Sequence, residues 1–136
     1  MDSADRLQRV VSRLNRLLRQ QTSGELTHAQ LSALATISRL DGCRVGELAV
    51  HEAIGAPVAT RVVASLEELG FVERQADSLD GRACLVHATA AGRQSLAALR
   101  RERAEVLVQR MQQLTAEERS LLARAVPLLE ALVNAE

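Results

Sequence analysis

The sequence predicts a mainly α chain with one small β-hairpin (α+β), and three observations carry that expectation. Apolar residues make up 47% of the 136 residues and aromatic ones only 1%, with Leu, Ala and Val dominant. Leu and Ala favour helices, and a core without rings must be filled by close helix packing. Apolar residues also recur at spacings of three and four over most of the chain, the period of a helix with one buried stripe. Only Phe71–Gln75 and Ala83–His87, flanking the polar turn of residues 77–82, carry a convincing strand signal.

The elements follow in order. Leu7, Val10, Val11, Leu14, Leu17 and Leu18 form one stripe on a helix from Ser3 to Gln21, with Arg6, Arg9, Arg13, Arg16 and Arg19 largely outside it. Thr27-x-x-Gln30 has the form of a capping box and opens a second helix through Leu40, ended by Asp41-Gly42. A short helix from Val45 to Ala53 is anchored by Leu48. The break at 54–56 gives a tight turn, and Pro57 suits the first turn of a helix running to Leu69. Gly70 sits where a C-terminal cap needs positive φ. In that helix Ala59, Val62, Val63, Leu66 and Leu69 repeat at helical spacing, leaving Val58, Thr60, Arg61, Ala64 and Ser65 wholly or partly outward. The hairpin is too small to stand alone and must lean on the helices. Thr89 caps a long helix from Ala90 to Gln113, and Thr115-x-x-Glu118 opens a last one through Val133, which Pro127 should kink or restart.

The expected division is an N-terminal helical segment 1–26, a central lobe 27–89 and C-terminal helices 90–136. The outer helices carry more leucine than one small domain can cover, which points to dimerisation rather than an intramolecular bundle.

Composition excludes several functions. No apolar run approaches about 18 residues, so no membrane span is expected. The N-terminus has charges at Asp2, Asp5 and Arg6 and no apolar leader, so a soluble, cytoplasmic chain is expected, with Cys43 and Cys84 as reduced thiols. No phosphate-cradling loop, zinc-protease motif or nucleophile elbow is present, so no enzyme and no cofactor are expected. Cys84 and His87 fall on opposite faces of a strand and cannot share a metal. Cys43, beside Arg44, is the better-placed redox thiol, and Cys84 reads as a small buried hydrophobe.

The two central helices and the turn between them have helix-turn-helix spacing, and the hairpin supplies a wing. The second helix would then enter the major groove of double-stranded DNA. Pro57 leaves the helix start open to a phosphate. Thr60 can bond a phosphate or base edge, Arg61 can grip guanine bidentately, and Val58 can touch a thymine methyl.

From about Leu26 to Gly92 the chain resembles the MarR (multiple antibiotic resistance regulator) family. The residues that carry the resemblance are Thr60-Arg61-Val62-Val63 with Leu66 and Gly70, the wing signature Asp80-x-Arg82, the long-helix entry Thr89-x-x-Gly92, and Leu114-Thr115-x-x-Glu118. Each is weak alone; together, in this order, they cover nearly the whole chain. The resemblance implies a homodimeric transcriptional regulator, a repressor of a pseudo-palindromic operator with half-sites about 10 base pairs apart. It implies DNA contacts from Thr60 and Arg61, beside those expected of Pro57, Val58 and Ser65 on the same helix, with Arg82 in the minor groove and Asp80 holding it. It also implies a small-molecule effector, for which Leu14, His28, Leu31 and Leu96 are candidates; ordinary core and surface roles are the alternative.

Two features depart from the family pattern. Ala88 stands where Leu is usual, and Pro57-Val58 replace more polar residues. The stretch Arg44–Gly92 also sets four arginines against seven carboxylates. That balance favours the other reading, a winged-helix module for protein contact with a degenerate DNA face.

Overall fold

The computed structural model describes residues 2–22, 24, 26–76, 79 and 84–135. The order is α1 (Ser3–Gln21), α2 (His28–Arg39), α3 (Val45–Glu52), α4 (Ala56–Glu68), β1 (Val72–Ala76), β2 (Cys84–Ala88), α5 (Ala90–Met111) and α6 (Ala116–Asn134). Two compact units result: one of residues 22–101, the other of residues 1–21 with 102–136, so the division falls inside α5 rather than at its start.

The lobe 22–101 is built on a mainly aliphatic core. Leu34 and Ile37 of α2, Leu48 of α3, Val63 and Leu66 of α4 and Val86 of β2 are fully buried. Val72, Ala88 and Leu96 join them, with Phe71 packed against the cluster from outside. Ala59, Val63 and Leu66 form the buried stripe of α4, at the three-to-four spacing that a helix needs to show one face to a core.

The hairpin is antiparallel and pairs Val72 with Ala88 through to Ala76 with Cys84. Strand β1 starts one residue later than the sequence suggests, because the Phe71 backbone is already used. Its N–H donates to the Leu66 carbonyl at 3.0 Å, closing α4 beyond Gly70, whose φ is +77°. Its carbonyl accepts from the Thr89 N–H at 3.0 Å. On the other side of β2, Cys43 and Val86 exchange both backbone hydrogen bonds, at 3.1 and 2.8 Å.

Thr89-x-x-Gly92 gains a physical meaning here. The Thr89 hydroxyl donates to the Gly70 carbonyl at 2.6 Å and accepts from the Gly92 N–H at 3.1 Å. Gly92 lies so close to the Phe71 carbonyl that any Cβ would collide with it. The start of α5 is thus stitched to the junction of α4 and β1.

The other unit is α1, the distal part of α5 and α6. Thr115 and Glu118 form the expected reciprocal box, at 2.9 and 3.1 Å. Arg119 donates to the Leu114 carbonyl at 2.7 Å, placing a cation at the C-terminal end of α5, where the helix dipole is negative. Helix α6 is continuous through Pro127, although the proline cannot donate to the preceding turn. Neither α1 nor α6 has a single buried residue in the isolated chain. No helix among the described residues is long and apolar enough to cross a membrane.

Candidate nucleic-acid interface

Helix α3 braces α4 across a three-residue turn. Ala53 closes α3 in the left-handed region, with φ 52° and ψ 45°, and Ile54 N–H returns to the Ala49 carbonyl at 3.0 Å. Gly55 is the N-cap of α4 and supplies no side-chain hydrogen bond, while proline occupies the first turn. The N–H groups of Ala56 and Val58 therefore lie beyond reach of any intrahelical acceptor, at the positive end of the helix dipole. Such a terminus suits a phosphate.

Pro57, Val58, Thr60 and Arg61 are all exposed, on the sides of α4 away from Ala59, Val63 and Leu66. Arg61 has no carboxylate in ion-pair range among the described residues, so its planar fork of donors is available. The Thr60 hydroxyl donates back to the Ala56 carbonyl at 2.9 Å and keeps its acceptor lone pairs outward. Ser65 differs from the expectation of an outward contact. Its hydroxyl donates to the Val62 carbonyl at 2.7 Å and accepts from Gln30 Nε2 at 3.1 Å, so it ties α4 to α2. Asp80 and Arg82, the expected wing-tip pair, lie outside the described residues.

A second tie was not anticipated from sequence. Both carboxylate oxygens of Glu52, at the end of α3, accept hydroxyl protons from α2: Ser32 on one and Thr36 on the other, each at 2.7 Å. Ser32 and Thr36 stand four apart on one face of α2, which is the signal that could have revealed it. Glu67 pairs with Arg74 at 3.4 Å, and Glu47 accepts the Arg44 N–H at 3.4 Å.

The two cysteines exchange their expected roles. Cys43 is buried by its bridge to β2, and burial, with the charge of Glu47 adding to it, pushes its thiol pKa up. A thiol so placed stays protonated and unreactive. Cys84, expected to be buried, is exposed. Among the described residues no group of three His, Cys, Asp or Glu could hold a metal.

The effector candidates fall in both units. Leu96 fills the core, Leu31 packs against it, His28 is exposed, and Leu14 belongs to the other unit, itself exposed. The cavity found in the lobe lies elsewhere and is lined by none of the four.

A brace helix, a tight turn, an outward second helix and a hairpin define a winged helix-turn-helix protein. The MarR family profile matches residues 26–84. A helix-turn-helix-type transcriptional regulator of Mycobacterium bovis is 39% identical over 132 residues, 96% of this chain and 92% of the relative. A solved transcriptional-regulator-type protein of Pseudomonas aeruginosa is 33% identical with a TM-score of 0.86, over 98% of this chain and 94% of its own. A mutant of MarR from Escherichia coli matches at 25% identity and a TM-score of 0.82, over 98% and 97% of the two chains. The chain belongs to the MarR family of DNA-binding transcriptional regulators.

Proposed function

We propose that the protein is a repressor that binds a pseudo-palindromic operator as a homodimer and is released by a small-molecule effector. The observation that carries this reading is the two-faced α4: its inward stripe is fully buried, and Pro57, Val58, Thr60 and Arg61 stand on the solvent side. In this reading Arg61 grips guanine in the major groove, Thr60 meets a phosphate or base edge, and Val58 meets a thymine methyl. Arg82, steadied by Asp80, enters the adjacent minor groove. Ser65 serves by fixing the helix rather than by touching DNA.

Dimerisation draws its support from the unburied helices. Leu121, Leu128 and Leu132 of α6 are 60–69% exposed, and Leu7, Val10, Val11 and Leu14 of α1 are also open. Apolar stripes of this extent mark surfaces that another copy covers. The protein-contact alternative rests on the excess of carboxylates, and Glu47, Glu52 and Glu67 are already engaged within the lobe.

The test is selection of genomic fragments by the purified protein at two salt concentrations. One enriched palindrome, with half-sites about 10 base pairs apart and weaker at higher salt, is the expected result. Arg61→Ala should abolish that selection while hydrodynamic sizing still reports a dimer. Unchanged operator affinity in this variant refutes the recognition-helix assignment.

A further inference from the structure

The surface of the lobe of residues 22–101 carries an open cleft of about 310 Å³. Its walls come from the end of α2 and the turn after it, the hairpin, and the start of α5. Strand alternation explains the hairpin's share. Glu73 and His87 are cross-strand partners and both line the cavity, whereas their neighbours Val72 and Val86 are buried in the core.

The His87 ring rests on Gly42, where any Cβ would collide with it and where φ is +100°. The imidazole is thereby seated against the turn that leads into α3. Arg93 is anchored from the other side: its Nη1 donates to the Ala88 carbonyl at 2.7 Å. A guanidinium has five donors, so most of them remain for a ligand.

Arg93, Asp41 and Glu73 are all exposed along this cleft, so a ligand would compete with water for each of them. Among the described residues neither Arg93, Asp41 nor Glu73 has an ion-pair partner, although all three line the same space. Glu73 accepts a 3.3 Å hydrogen bond from Gln75. A site offering one anchored cation and two carboxylates disfavours a simple anion, which would meet the carboxylates. It equally disfavours a simple amine, which would leave the guanidinium idle.

We propose that this cavity binds a small zwitterion of the α-amino acid class, with the carboxylate on Arg93 and the ammonium on Asp41 and Glu73. The volume is at the low end of small-molecule sites, which span roughly 300–1,000 Å³, and so suits a single amino acid rather than a nucleotide. Charge-assisted, bidentate pairing is the contact that an arginine makes best with a carboxylate. None of the outward residues of α4 lines the cavity, so the site is distinct from the α4 surface. The inference deepens the effector part of the proposed function, and rests on that reading only for what the ligand does to DNA binding. A ligand here would join the root of the wing to the turn before α3, the two parts that place the DNA-contacting elements.

The experiment uses the full chain without DNA. Each of the twenty L-amino acids is added singly in a thermal-shift assay, and hits are titrated by calorimetry. The matched decarboxylated amine and deaminated acid of each hit serve as controls. We expect an L-amino acid to raise the melting temperature and both one-charge analogues to bind about tenfold or more weakly. Arg93→Gln and Asp41→Asn should each weaken binding about 10- to 100-fold. Asparagine tolerates the left-handed backbone at position 41, where φ is 53°, so the unliganded melting temperature should match the parent. No shift with any L-amino acid overturns the proposal, as does binding that neither substitution weakens or that the analogues reproduce. Because no DNA is present, failure here leaves operator recognition standing, and failed operator selection leaves this result standing.

Discussion

Gly92→Ala should destabilise the protein, although alanine is the better helix former and position 92 lies in α5. The reason is the Phe71 carbonyl, whose oxygen and carbon occupy the space that the new methyl would need. That neighbour cannot swing aside as a flexible side chain would. Its oxygen accepts the Thr89 N–H, its own N–H closes α4, and the Thr89 hydroxyl holds Gly70 at 2.6 Å. Overpacking of this kind costs about 1–3 kcal/mol. Stretching one of the attached hydrogen bonds adds about 0.5–1.5 kcal/mol. Replacing a helical glycine returns about 1 kcal/mol. The net is a loss of roughly 0.5–3.5 kcal/mol, read as a lower urea midpoint with an unchanged slope. Parent and variant must be compared at one protein concentration, since assembly makes apparent stability concentration-dependent. Gly46→Ala is the control, because a Cβ there meets nothing within 4 Å. It should stabilise by up to about 1 kcal/mol. A neutral or stabilising Gly92→Ala would refute the close-approach argument, and with it the physical reading of Thr89-x-x-Gly92.

Three further outcomes are expected. Arg82→Ala should weaken operator binding by about 1–3 kcal/mol, and an unchanged gel-shift titration would remove the wing from the interface. Ala53→Gly should stabilise the fold by about 0.5–1 kcal/mol in thermal melts, since alanine stands in the left-handed region there, at φ 52°. The N–H of Thr115 and then its hydroxyl hold the Glu118 carboxyl below its ordinary value of 4.5, so protonation favours the unfolded form. The start of α6 should therefore be fully capped above that value and fray as pH falls below it, with helix ellipticity dropping; Glu118→Gln should remove the pH dependence.

What could be read from the sequence was local. The boxes at Thr27–Gln30 and Thr115–Glu118 need only residues three apart, and both form as expected. The stripe of α4 needs only a helical period, and Ala59, Val63 and Leu66 are buried accordingly. What escaped depends on distant partners. The hairpin starts late because Phe71 is tied to Leu66 and Thr89, which strand propensity cannot register. Cys43 is buried because it bridges to Val86, a partner 43 residues away in the chain. Ser65 looks outward on a helical wheel until Gln30 arrives, 35 residues earlier in the chain. The cavity gathers side chains from α2, the hairpin and α5, so no window of sequence contains it.

The carboxylate excess between Arg44 and Gly92 is the feature hardest to reconcile with a polyanionic partner. A charge sum treats every carboxylate as facing solvent alike, but several of these have partners within the lobe. Glu52 spends both oxygens on Ser32 and Thr36, so its charge serves to set α3 against α2. Glu67 is offset by Arg74. Glu73 borders the cavity together with Arg93, a cation that the count from 44 to 92 leaves out by one residue. Arg61, by contrast, has no such partner among the described residues. Long-range attraction between lobe and duplex should then be weak while the contact made by α4 remains specific. Affinity carried by few phosphate contacts falls gently with salt, at a slope near 0.9 per contact. A steep slope, equivalent to about 6–10 contacts, would show that cations outside this lobe dominate the encounter.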